Sequence, residues 1–67
     1  MGHYNGLVVC IEKGRYSPYT LGKVYEFVDG RVKDDRGEAF PKEPVKTLEE
    51  WNSRIISRAK FCQIMRP

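Results

Sequence analysis

Two tight-turn signals close together constrain this chain more than any other feature. Asp29-Gly30 and Asp34-Asp35-Arg36-Gly37 are separated only by Arg31-Val32-Lys33, and β-branched or aromatic residues flank both. A type I′ turn needs positive φ at both central positions, which Asp-Gly tolerates. Strands joined by such turns form a meander. The spacing predicts strands over residues 23–28, 31–33 and 38–40. In the first of them Tyr25 and Phe27 share one face, while Val24, Glu26 and Val28 share the other. The charge on Glu26 marks its face as the wetter one. Tyr25 and Phe27 are therefore expected to point inward, joined by Val32 and Phe40.

The flanking segments complete a small β fold. Residues 1–6 read as a frayed arm. Leu7-Val8-Val9-Cys10-Ile11 is an apolar, β-branched run, expected as a buried strand. Residues 12–22 read as a loop containing Gly14, Pro18 and Gly22, and Gly22 suits a bulge or a positive φ at the start of the next strand. Pro41 and Pro44 bracket a rigid connector. Thr47-Leu48-Glu49-Glu50 matches a capping box, with Glu50 reaching back to the N-cap amide, and its acids suit the positive end of a helix dipole. Leu48, Trp51 and Ile55 then follow a helical stripe with Trp51 as its core anchor, and Ile56 beside Ile55 is a modest hint of an interface. The helix is expected to end near Arg58. Residues 59–64 alternate and read as a closing strand. The expected fold is mainly β: a single small SH3-like barrel of about five short strands, with one short helix before the last strand. It forms one domain over residues 1–67, closed by pairing of the last strand with the first.

Leu21-Gly22-Lys23-Val24-Tyr25-Glu26, the Asp34-Asp35-x-Gly37 turn, Trp51 and Ala59-Lys60-Phe61 together resemble a group of small, mostly uncharacterised tailed-bacteriophage proteins with compact SH3-like domains. The resemblance spans residues 7–64. It implies a phage accessory protein, acting in the cytoplasm of a bacterial host, that binds and modulates a host protein. It implies no active-site residues.

Size and composition point the same way. A chain of 67 residues buries only about 60% of its unfolded surface. Its core supplies roughly 3–5 kcal/mol of stability. Recognition on an exposed face is physically easier at this size than enclosed catalysis. Enzyme signatures fail in turn. His3 is the single imidazole and lies in the expected arm, where nothing holds it as a general base. Asp34 and Asp35 read as solvated turn formers rather than a metal site. The glycines lack the strand–loop–helix setting of a phosphate-binding loop. Cys10 and Cys62 lack zinc-site spacing and read as two reduced, buried thiols acting as small apolar residues, although neighbouring strands would leave a single disulfide open. No cofactor is expected. No apolar run reaches the ~20 residues of a membrane span, and no secretory signal or myristoylation pattern is read at the start.

Binding is the remaining class. The net charge is +3, from 12 basic and 9 acidic residues. Arg54, Arg58, Lys60 and Arg66 all follow the last acid, Glu50, so the C-terminal third is basic. The candidate binding surface is Lys13, Arg15, Tyr16, Tyr19 and Lys23 around the long loop, with Arg54 and Arg58 from the helix. A host protein is the leading partner. The alternative is a nucleic acid stacked on Tyr16 and Tyr19 beside these cations, with Arg31 and Lys33 extending the surface. A phage structural or assembly role is the third reading. The expected state is a monomer or a weak homodimer, with no membrane partner.

Overall fold

The chain runs β1 (Gly6–Lys13), β2 (Val24–Val28), β3 (Arg31–Lys33), β4 (Ala39–Phe40), α1 (Leu48–Ser53) and β5 (Ala59–Gln63). These elements come from a computed structural model that describes residues 2–54 and 58–64. The strands form one antiparallel sheet in the order β4-β3-β2-β1-β5. The mainly β architecture, with a short helix before the last strand, is as expected. β5 pairs with β1, yet the sheet is not closed into a ring: β4 and β5 are its two edges.

Local chemistry explains the elements. At the β2–β3 turn Asp29 has φ 54° and Gly30 φ 84°, the positive pair that a type I′ hairpin demands. Gly22 has φ 82°, and its amide donates to Cys10 O at 2.8 Å, ending the β1–β2 ladder. β1 is longer than expected because Glu12 and Lys13 continue its pairing with β5 past a register shift after Cys10. Thr47 caps α1, its hydroxyl accepting from Glu50 N at 3.0 Å. The reciprocal arm of the box is displaced by one residue: Glu50 Oε1 accepts from Lys46 N at 2.9 Å, not from the Thr47 amide. The helix stops at Ser53, well short of Arg58, because Arg54 is already extended at φ −77°, ψ 134°. Ile55 and Ile56 lie outside the described residues.

One aromatic core unites the sheet and helix. Tyr19, Tyr25, Phe27, Trp51 and Phe61 meet mostly edge to face, with centroids 5.2–6.3 Å apart. Val8, Cys10, Val32, Val45 and Ala59 fill the space around them. Each such ring pair adds about 0.5–1.5 kcal/mol beyond area burial. Side-chain amides fasten α1 to β5: Asn52 Nδ2 donates to Phe61 O at 2.8 Å and Asn52 Oδ1 accepts from Phe61 N at 2.9 Å.

Three further expectations are corrected: the frayed arm, the fully buried β1 run and the burial of Cys62. The segment read as a frayed arm is tied down from His3 onward. Tyr4 N donates to Val45 O, Gly30 N donates to Tyr4 O, and Asn5 Oδ1 accepts from Asp29 N. Its partners are remote in the chain, so no local signal announces them. The apolar run of β1 is buried on one face only. Val8 and Cys10 point into the core, while Leu7 and Ile11 are 46% and 54% exposed on the other face. The same alternation separates the cysteines. Cys10 pairs in register with Phe61 and Val9 with Cys62, so Cys10 is buried and Cys62 exposed, on opposite faces, and both are free thiols. Burial pushes the Cys10 thiol pKa up. Among the described residues no helix is long and apolar enough to cross a membrane.

Candidate functional site

The long β1–β2 loop is held by a polar knot at Asp35. Its carboxylate accepts from Lys23 Nζ at 2.8 Å, from Tyr25 OH at 2.8 Å and from Thr20 Oγ1. Its amide donates to Pro18 O at 3.1 Å, and Tyr25 OH in turn accepts from Thr20 N at 2.7 Å. Hydrogen bonds from Lys23, then Thr20 and Tyr25, hold the Asp35 carboxyl down at about 2. Asp34 organises the next turn. Its side chain is fully buried, with Oδ1 accepting from Arg36 N and Glu38 N and Oδ2 from the Arg36 guanidinium. Burial pushes this carboxyl up, but the Glu38 amide and Arg36 outweigh it, and the net shift is downward. These acids form turns as expected, yet they are engaged by the fold rather than solvated. No cluster of three or more His, Cys, Asp or Glu able to hold a metal ion occurs among the described residues.

This knot redistributes the candidate binding residues. Lys23 is spent on Asp35 and lies 5.4 Å from the Tyr25 ring centroid. Tyr19, expected on the binding surface, is only 2% exposed. Its hydroxyl donates to Val32 O at 3.3 Å. Burial, then the nearby Asp34 charge, raises its phenol pKa strongly. A ring packed against Tyr25, Trp51 and Phe61 and almost fully buried offers no face for a base. Tyr16, by contrast, is 88% exposed.

The rest gather around Arg58. Arg58 lines three depressions: one with Glu12, Lys13, Gly14 and Lys60, one with Gly14, Tyr16 and Ser17, and a more apolar cleft toward the helix. Gly14 N donates to Arg58 O at 3.2 Å, joining the loop to the start of β5. The cleft has a volume of about 350 Å³. Phe40 and Pro41 make its apolar wall over a floor of the nearly buried Tyr19 and Trp51 rings, and Lys42, Arg54 and Arg58 bring three cations to it. The walls are rigidly set. Trp51 Nε1 donates to Ala59 O at 2.8 Å, and Arg31 holds the opposite wall by donating to Pro41 O at 3.1 Å and Lys42 O at 2.7 Å. Arg31 is therefore a brace, not part of an open cationic surface.

The described lining of the cleft holds cations and no carboxylate. The Arg58 guanidinium lies 5.5 Å from the Phe40 ring centroid. Arg54 pairs with Glu50 at 3.2 Å, and the Lys46 amide, with Arg54, keeps the Glu50 carboxyl pKa low. Among the described residues no carboxylate forms an ion pair with Lys42 or Arg58. Of the expected surface, Arg54 and Arg58 meet here, Lys13 and Tyr16 adjoin it through Arg58, and Arg15 is exposed in the same loop. Phe40, Pro41 and Lys42 escaped sequence reading as site residues. The Phe40-Pro41 pair after a strand is a weak signal of a rigid wall, and only the return of the chain past Trp51 makes it a cleft. The chain matches no protein-family model, no curated protein and no solved structure.

Proposed function

We propose that this is a small non-enzymatic binding module that docks a segment of another protein in the Arg58 cleft. On the phage resemblance, that protein belongs to the bacterial host and the module modulates it in the host cytoplasm. The order β4-β3-β2-β1-β5, with a long β1–β2 loop and a helix before β5, favours an SH3-like barrel whose hydrogen-bonded ring is incomplete. The observation carrying the functional reading is the cleft: apolar walls held in place by Arg31 and the Trp51 indole, with cations in its lining. Walls fixed before binding reduce the ordering cost of association. The nucleic-acid reading keeps the exposed Tyr16 beside Arg58 but loses the second stacking ring, because Tyr19 is in the core.

Parallel affinity capture from a bacterial lysate with the wild type and Arg58→Glu tests this. A protein retained by the wild type should fall at least about tenfold with the variant, equivalent to ~1.4 kcal/mol. Equal retention counts against the cleft. Tight binding to single-stranded DNA that collapses as salt rises would transfer the function to nucleic acid.

A further inference from the structure

The geometry points to a more specific occupant: an acidic peptide segment carrying one aromatic or branched aliphatic side chain, with the apolar side chain in the cleft and its carboxylates on Lys42 and Arg58. This rests on the protein-docking reading above. Three features of the cleft select that chemistry. Its volume, about 350 Å³, is at the small end of ligand pockets, so it admits an anchor side chain rather than a folded surface. Its walls are rings and Pro41, with Tyr19 and Trp51 already hydrogen-bonded to backbone carbonyls of Val32 and Ala59. Those polar atoms are satisfied, and what faces the cleft is apolar.

Charge decides the rest. Three cations line the cleft; Arg54 is held by Glu50 at 3.2 Å, and among the described residues no carboxylate forms an ion pair with Lys42 or Arg58. A basic or neutral segment would leave this field unanswered. Arg58 lies near the face of Phe40, and its guanidinium offers a planar fork that donates to a carboxylate bidentately. Anchor walls and cations line one cleft, so one short segment meets both.

Selection from a random peptide library displayed against the immobilised protein tests the inference, followed by titration of synthetic peptides read by emission of Trp51, the one tryptophan of the chain. Enriched peptides should place Asp or Glu beside Phe, Trp, Leu or Ile. Replacing their acids by Asn and Gln, or changing Lys42→Glu or Arg58→Glu in the protein, should weaken binding about tenfold or more. Both positions are exposed, and unchanged far-ultraviolet dichroism and Trp51 emission of the free variants verify the fold. Peptides with Lys in place of Asp should regain affinity for Arg58→Glu. Neutral or basic peptides that bind, and lose affinity with both variants, would overturn this inference while leaving a protein-docking cleft in place. Peptide binding indifferent to both variants, no enrichment at all, or a single-stranded oligonucleotide displacing every selected peptide would overturn both.

Discussion

Asp35 gathers three side-chain hydrogen bonds at the surface. It joins Lys23, Thr20 and Tyr25 through its carboxylate and Pro18 through its amide, and so fixes the loop that delivers Tyr19 to the core. The folded carboxyl titrates at about 2, against an ordinary value of 3.8. The unfolded chain therefore binds the proton more readily, and the contribution of this knot is complete above about pH 4 and lost as pH falls toward 2. Asp34 and Glu50, also lowered, act in the same direction. Thermal melts between pH 5 and pH 2 should show the melting temperature falling with acid. Asp35→Asn should melt lower at neutral pH and follow a flatter slope across that interval. Equal slopes would mean that the knot does not stabilise the fold through ionised Asp35. Sequence reading anticipates Asp34 and Asp35 as turn residues, because turn propensity is local. It cannot anticipate the knot, whose donors lie 10 to 15 residues away.

At the level of elements, the β2–β3 hairpin shows how a local signal acquires a tertiary duty. Gly30 is required by its φ of 84°, and also by space: a Cβ there would sit 2.6 Å from Pro44 Cβ and 2.7 Å from Val45 O. Its amide donates to Tyr4 O and its carbonyl accepts from Val45 N. The turn is where the N-terminal segment and the Pro41–Pro44 connector cross. Gly30→Ala combines left-handed strain of about 1–2 kcal/mol with backbone displacement. It should cost about 2 kcal/mol or more in urea unfolding; a loss below about 1 kcal/mol would show that the crossing yields easily. Asp-Gly made the turn legible in sequence, and Thr47 made the start of α1 legible. The end of α1 was not: the helical stripe continues to Ile55 in the sequence, but Ser53 is the last helical residue and Arg54 turns outward into the cleft.

For the molecule as a whole, one packed sheet face carries the stability. Phe27 is fully buried, whereas Val28, its neighbour on the opposite face, is 59% exposed. Phe27→Ala should cost about 3–5 kcal/mol, comparable with the whole stability of a domain this small, and leave the chain largely unfolded. Val28→Thr should stay within about 0.5 kcal/mol. Urea melts of the two variants check the assignment of faces, and similar losses would refute it. Composition and alternation by themselves determined the turns, the strand phase that puts Tyr25 and Phe27 inward, the helix cap and Trp51 as core, since each depends on φ/ψ preference or on neighbours within one turn of chain. The tertiary structure alone decided which tyrosine is buried, which cations are consumed as braces, and that Arg54 and Arg58 meet Phe40, Pro41 and Lys42 around one cleft. Those outcomes depend on contacts between segments distant in the chain, where residue type alone states neither the partner nor the exposure.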